Sequence, residues 1–226
     1  VKHIPQTSKK DLSRISDEVS NVIDNTKGST TRRRHKAVWF GDQEYIYTGS
    51  RHSAKAMPES IKKIKLRIEQ ALGLEEGYYN SVLINRLPKD VNIPAHADNE
   101  DILQLAEGVG SVGVLSLGGQ SQIDIIHPKT REILESHVIG DGDIYELPAG
   151  NFQNTFLHAV GPSPEERISL TFRKIRDEEK AHIIDDAREV RGNRHADELT
   201  SEEAAEVDIV ETREGMGDIK ASESYK

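Results

Sequence analysis

From Ser81 to Arg173 the chain runs through a series of short apolar or alternating stretches: Ser81–Arg86, Ile93–Asp98, Ser111–Leu117, Gln122–His127, Ile133–Ile139, Ile144–Leu147 and Arg167–Arg173. Gly, Pro and Asp turns separate most of them. Many short strands at this spacing predict two packed sheets, a β-sandwich or jelly roll. Helical periodicity is confined to the N-terminal side. Leu12, Ile15, Val19, Val22 and Ile23 make one amphipathic stripe. Ile61, Ile64, Ile68 and Leu72 make another, opened by Pro58 and stopped by Gly73. Between them, Val38–Gly41 and Glu44–Tyr47 read as two strands joined by a tight turn at Gly41-Asp42. The expected fold class is α+β, mainly β: a double-stranded β-helix, or jelly roll, with supporting N-terminal helices.

Charge divides the chain further. Residues 176–226 hold 8 Lys/Arg against 16 Asp/Glu, which is −8 of the total −9, so 1–175 is left near neutral at −1. A near-neutral body can still present a local basic face to a phosphate backbone. The expected organisation is an N-terminal helical extension and basic loop over 1–35, a β-rich body over 36–175, and a flexible acidic tail over 176–226. The tail is expected to be disordered or loosely helical, with a possible helix over Glu178–Arg191. No apolar run approaches membrane-spanning length, and no charged-then-apolar leader opens the chain. Val1 in place of Met suggests a piece of a longer polypeptide. The absence of cysteine removes disulfides and thiolate ligands and fits an intracellular protein, so any metal must be held by nitrogen and oxygen.

Such ligands are on offer at His96-Ala97-Asp98. Two residues apart on an extended segment, an imidazole and a carboxylate point to the same side. A second histidine from elsewhere would complete the two-histidine, one-carboxylate face that holds non-haem ferrous iron with positions left open. His158 is the candidate. The tripeptide alone is weak, because His195-Ala196-Asp197 repeats it in a charged stretch with no strand before it and no histidine after it. Context has to carry the first copy. It comes from RISLTFR, residues 167–173, where Arg167, Ser169, Thr171 and Arg173 share one strand face and Ile168, Leu170 and Phe172 the other. Two guanidinium groups along one inward face suit a ligand with a carboxylate at each end, which arginine binds bidentately.

With these residues in place, the chain from about Val38 to Lys174 resembles the AlkB family of iron(II)/2-oxoglutarate-dependent nucleic-acid dealkylases. The resemblance rests on Asn80-Ser81, Ile84-Asn85-Arg86, His96-Ala97-Asp98 with Glu100, His158 and RISLTFR. Within the family it is most similar to the AlkB-type domains of plant RNA virus polyproteins. The resemblance implies that His96, Asp98 and His158 bind Fe(II). It places Arg167 on the distal carboxylate of 2-oxoglutarate and Arg173 by its chelating end, with Asn85 and Ser169 as further cosubstrate contacts. Glu100 stands near an acidic residue that reads the damaged base, and Tyr45 and Tyr47 belong to a nucleotide-recognition flap. Trp39 and Arg34, the latter from the basic run Arg32–Lys36, are counted with them as substrate contacts. One position departs from the family: Leu87 stands where a tyrosine commonly bonds 2-oxoglutarate. The loss of one neutral hydrogen bond costs about 0.5–1.5 kcal/mol, a weakening of cosubstrate affinity.

The activity so implied is oxidative demethylation of N-methylated bases, of the 1-methyladenine and 3-methylcytosine kind. It consumes dioxygen and 2-oxoglutarate and releases succinate, carbon dioxide and formaldehyde. A base must leave its stack to reach such a pocket, so single-stranded nucleic acid is the expected partner, RNA before DNA. A monomer acting in the cytoplasm, that of the host if the parent is viral, completes the expectation. Two other readings use the same residues. One is a 2-oxoglutarate oxygenase acting on a protein or small molecule; the other is a non-catalytic β-sandwich binding module.

Overall fold

The computed structural model describes residues 2–4, 9–27, 30–32, 35–47 and 50–176. In chain order the first elements are strand β1 (Lys2–Ile4), helix α1 (Lys9–Asn25), β2 (Thr30–Arg32), β3 (His35–Phe40), β4 (Tyr45–Tyr47), β5 (Ser50–His52) and helix α2 (Glu59–Leu72). Then come β6 (Ser81–Leu87), β7 (Ile93–His96), β8 (Gln104–Leu105), β9 (Gly108–Val109), β10 (Val112–Gly118), β11 (Ser121–Ile126), β12 (Ile133–Ile139) and β13 (Ile144–Leu147). A single-turn helix α3 (Phe152–Thr155), β14 (Leu157–Val160) and β15 (Arg167–Arg173) complete the set. The helices and every sheet but the small β4-β5 pair belong to one compact unit, Val1–Tyr45 with His52–Ile175, while Ile46–Arg51 and Arg176 fall in a second. The tail helix expected over Glu178–Arg191 lies outside the described residues.

Two antiparallel sheets form the jelly roll. The larger runs β1-β13-β10-β15-β6-β3-β2 and the smaller β12-β11-β14-β7. Alternation along the strands gives each sheet two faces. On the outer face of the larger sheet, Val38, Phe40, Val82, Ile84, Leu115, Leu117, Ile168, Leu170 and Phe172 meet the apolar stripes of α1 and α2 in one continuous core. Each fully buried aliphatic side chain there contributes roughly 1.5–3 kcal/mol. The inner face packs against the smaller sheet through Val112, Val114, Ile123, Ile125, Ile139, Leu147 and Val160. Polar side chains gather beside that second core, and they make the site.

Both helices lie where the periodicity places them. Pro58 sits at the N-cap of α2 and Gly73 caps its C-terminus at φ 77°, a left-handed conformation that a Cβ disfavours. The strands at Val38–Gly41 and Glu44–Tyr47 are present, but they are not partners. β3 is taken on both sides, by β6 and β2, while β4 pairs with β5 in a small sheet of its own. Three long apolar residues of β3 are buried against the β-rich body, and that burial outweighs a local turn. The strand carrying the histidine-aspartate pair also stops early, at His96.

The loop between α2 and β6 is fastened by a fully buried carboxylate. Glu69 accepts the backbone N–H of Tyr79 at 2.9 Å and of Gly77 at 3.2 Å, and pairs with Lys65 Nζ at 2.9 Å. Substituting Glu69→Ala leaves the buried Tyr79 amide without its acceptor, while the exposed Gly77 turns to water, and should destabilise the fold by roughly 1–3 kcal/mol. Urea unfolding monitored by circular dichroism checks this, and a midpoint unchanged from wild type contradicts it.

Candidate metal and cosubstrate site

Strand β14 brings the distant histidine home. It pairs antiparallel with β7, with His158 directly opposite His96. The two imidazole rings are 4.3 Å apart between centroids, and His96, Asp98 and His158 offer ligand atoms that all lie within 4.8 Å of one another. They are the one group of three or more metal-ligating side chains among the described residues. The sequence pattern did not reveal β14, nor the short β1, β2, β5, β8 and β9: the four residues of β14 are separated from α3 by Phe156 alone and carry no alternation of their own.

Hydrogen bonds decide which atoms remain available. His96 Nδ1 lies 2.8 Å from the Pro94 carbonyl, which can only accept, so Nδ1 is the donor and Nε2 is the nitrogen turned towards Asp98. That Nε2 is 3.6 Å from Asp98 Oδ1. The other carboxylate oxygen, Oδ2, accepts both Nε (2.9 Å) and Nη2 (2.7 Å) of Arg173. Asp98 Oδ1 is left buried with no partner, as is His158 Nδ1. Beyond the end of β7, the backbone N–H of Asp98 is held by Gln153 Oε1 of α3 at 3.1 Å.

Electrostatics keeps the ligands in their binding forms. Burial pushes the Asp98 carboxyl up, but Arg173 and the two imidazoles outweigh it and bring it down to about 2. Burial, helped by His96, pushes the His158 imidazole down to about 3, so it is neutral. Burial works against the charge on Arg173 as well, yet Asp98 raises its affinity for the proton above the ordinary value.

The residues expected to meet the cosubstrate line up across the inner face of the larger sheet. Ser169 on β15 stands between Asn85 on β6 and Ser116 on β10. Arg167 is 1% exposed; its Nε donates to Ser116 Oγ at 2.9 Å, while Nη1 and Nη2 are buried without partners. Arg173 Nη1 is likewise unpartnered. Asn85 Oδ1 accepts from His35 Nε2 at 2.8 Å, which leaves its amide N–H groups to donate. Buried polar atoms are nearly always satisfied. A set of orphaned donors from two arginines, beside an orphaned carboxylate oxygen and imidazole nitrogen, fits a dicarboxylate lying next to a cation. Two nitrogens and one oxygen with no thiolate suit ferrous iron with open positions.

The substrate side is arranged differently from the sequence expectation. Tyr45 is 1% exposed; its ring stacks on Trp39 at 4.4 Å and its hydroxyl donates to Glu100 Oε1 at 2.8 Å. The Arg173 guanidinium lies over the same ring, 5.7 Å from its centroid. Trp39 is fully buried beneath Tyr45 and donates Nε1 to the Gln43 carbonyl at 2.9 Å. It supports Tyr45 from below instead of facing outward. Glu100 Oε2 is buried without a partner; burial, with Asp98 adding to it, pushes this carboxyl up to about 7. Arg34 and the side chain of Tyr47 lie outside the described residues. Gln153, Ser116 and His35 went unread in the sequence, because each acts by holding a residue far from it in the chain.

The neutral His158 has a measurable signature. The unfolded chain takes up a proton on it near the ordinary value of 6.5, the folded chain only near 3, so acidification across that window favours unfolding. Metal-free wild type should lose about 1.4 kcal/mol per pH unit relative to His158→Gln between roughly pH 6 and pH 4. Urea titrations of both proteins at several pH values measure the gap. A gap independent of pH would mean that the folded protein already protonates His158.

Comparison with known proteins agrees with this geometry. The family model of the 2OG-Fe(II) oxygenase superfamily matches residues 5–173. The chain is 30% identical over 155 residues (67% of its length) to the RNA replication protein of Papaya mosaic potexvirus. It is 28% identical over 167 residues (72%) to replicase protein 1a of Grapevine leafroll-associated virus 3 and 30% identical over 157 residues (68%) to the RNA replication polyprotein of Blueberry scorch virus. It spans only 9%, 7% and 7% of these three relatives. Among solved structures, that of OsALKBH1 superposes with a TM-score of 0.61 at 16% identity, covering 76% of this chain and 97% of that one. The chain belongs to the 2OG-Fe(II) oxygenase superfamily, whose dioxygenases depend on Fe(II), 2-oxoglutarate and dioxygen, and it shares its fold with OsALKBH1.

Proposed function

We propose that the protein removes N-methyl groups oxidatively from bases such as 1-methyladenine and 3-methylcytosine in single-stranded nucleic acid, with RNA as the main substrate. When bound, iron and 2-oxoglutarate supply the chemistry: oxidative decarboxylation of the cosubstrate by dioxygen provides the power to hydroxylate a methyl C–H bond. The chain's own residues hold and aim. His96, Asp98 and His158 hold the metal, and Arg167, Ser169, Arg173 and Asn85 hold the cosubstrate.

The observation that carries the substrate class is Glu100. Its carboxyl is buried two residues from the metal ligand Asp98, tethered through one oxygen to Tyr45, with the other oxygen unpartnered. Bases methylated at these ring nitrogens carry positive charge and an exocyclic N–H. A fixed, desolvated carboxylate favours such a ligand over a neutral one. Tyr45 orients Glu100, Trp39 acts through Tyr45, and Tyr47 and Arg34 contact the flanking nucleotides. RNA is favoured because relatives of this chain are named RNA replication proteins. On the same reading the chain is a piece of a viral replication polyprotein at work in the host cytoplasm. Residues 36–175 form its monomeric catalytic body, 1–35 supply β1, α1 and β2 to the same sheet and core in place of a separate extension, and 176–226 are a tail without catalytic part. No helix among the described residues is long and apolar enough to cross a membrane.

The test is incubation of the full chain with Fe(II), 2-oxoglutarate and matched RNA and DNA oligonucleotides carrying one methylated base. Formaldehyde release and the mass loss of one methylene per site are scored. Wild type should act faster on RNA, and His96→Ala and Asp98→Ala should be inert. Glu100→Gln should slow demethylation by roughly 10- to 100-fold while succinate formation without substrate persists. Succinate formation with no demethylation of either nucleic acid would instead favour a protein or small-molecule substrate.

A further inference from the structure

One polar side chain on the inner face of the larger sheet has no part in the site so far: Tyr145 on β13. It stands opposite Val114 of β10, and Val114 in turn stands opposite Thr171 of β15. Tyr145 therefore shares its face with Arg167, Ser169 and Arg173 and looks into the same interior, where it is 5% exposed. Its phenol lies against Arg167. Burial pushes the phenol's pKa up and the Arg167 guanidinium pulls against that, with Asp98 and Arg173 acting more weakly. The hydroxyl thus keeps its proton and can donate. By register Tyr145 is level with Thr171, between Arg167 and Arg173 along β15, and its phenol interacts with both guanidinium groups.

The neighbourhood of Arg167 shows what is wanting. On the β6 side Arg167 faces Leu87, which offers no polar atom. On the β10 side its Nε is engaged by Ser116; Nη1 and Nη2 are buried with no close hydrogen-bond partner, their nearest polar company being the weak contact with the Tyr145 phenol. Arginine is rarely left this way unless an anion completes it. A carboxylate there has room for more donors than one guanidinium edge supplies, and the hydroxyl that interacts with Arg167 from β13 is that of Tyr145.

We propose that Tyr145 is a cosubstrate-binding residue, whose hydroxyl donates to the same distal carboxylate that Arg167 grips and so replaces the polar contact that Leu87 cannot make from the opposite flank. This deepens the 2-oxoglutarate assignment and rests on it. It also accounts for how a chain with leucine at position 87 retains a dicarboxylate: the donor has moved to a strand on the other side of Arg167.

Isothermal calorimetry on the full chain tests this, without oxygen and with Mn(II) in place of iron. 2-Oxoglutarate and oxalate are titrated into wild type and Tyr145→Phe. Oxalate carries the chelating end alone. Loss of a hydrogen bond to a charged group should weaken 2-oxoglutarate about tenfold or more, with oxalate and Mn(II) affinities unchanged. Equal 2-oxoglutarate affinity in the two proteins overturns the proposal. So does a parallel loss for oxalate, which would place Tyr145 in support of the metal end. Failure of wild type itself to bind 2-oxoglutarate would instead bring down the cosubstrate assignment on which the proposal stands. Should Tyr145→Phe not fold, a crystal structure of wild type with Mn(II) and N-oxalylglycine decides the matter. A phenol oxygen within roughly 3 Å of the distal carboxylate supports the role, and a longer separation rejects it.

Discussion

The buried pairing of Arg173 with Asp98 is the interaction on which the rest of the site depends. Both groups are almost wholly removed from water. A buried ion pair of this kind stabilises a fold little, because desolvation offsets most of the attraction. Its effect is directional. By occupying Oδ2 with two N–H groups it keeps the carboxylate ionised, fixes its rotation and presents Oδ1 to the two imidazoles. The same guanidinium lies over Tyr45, whose hydroxyl holds Glu100. One arginine at the end of β15 thus joins the His96, Asp98 and His158 cluster to Tyr45 and, through it, to Glu100.

The site is held open at a cost. Asp98 Oδ1, His158 Nδ1, three nitrogens of the two arginines and Glu100 Oε2 are buried and unsatisfied together. Each such atom disfavours the folded state by something on the order of 1–3 kcal/mol. The cores on both faces of the larger sheet offset this, and the helices α1 and α2 supply much of that burial from the side away from the chemistry. Metal and dicarboxylate would then satisfy atoms that are already in place, so binding energy is not spent on arranging them.

Much of this was readable in one dimension. Period-two alternation in RISLTFR put both arginines on one face, and the structure has them there, fully buried. The spacing of His96 and Asp98 placed them on one side, and they stay together even though the strand ends between them. The stripes of α1 and α2 named their own buried residues. What stayed hidden has a common cause. Gln153, Ser116 and His35 matter through single contacts with Asp98, Arg167 and Asn85, and no local pattern marks a residue whose partner lies dozens of positions away. Trp39 and Tyr45 were legible as aromatics beside the site, but whether they faced a nucleotide or each other depended on what packed over them. The turn at Gly41-Asp42 looked like a hairpin because both flanks are strands. β3 instead pairs with the longer β6 on one side and with β2 on the other.

By itself, then, the sequence determined which side chains share a face, where helices begin and stop, and which ligand types exist at all. These follow from backbone geometry repeating every two or 3.6 residues. Only the tertiary structure decided that β14 lies against β7, setting His158 opposite His96, and that β13, β10, β15 and β6 lie side by side, so that Tyr145, Ser116, Arg167 and Asn85 share one interior surface. Strand order and register come from how two whole sheets bury their apolar faces against each other and against two helices. That is a property of all the strands at once, and no single stretch of the chain encodes it.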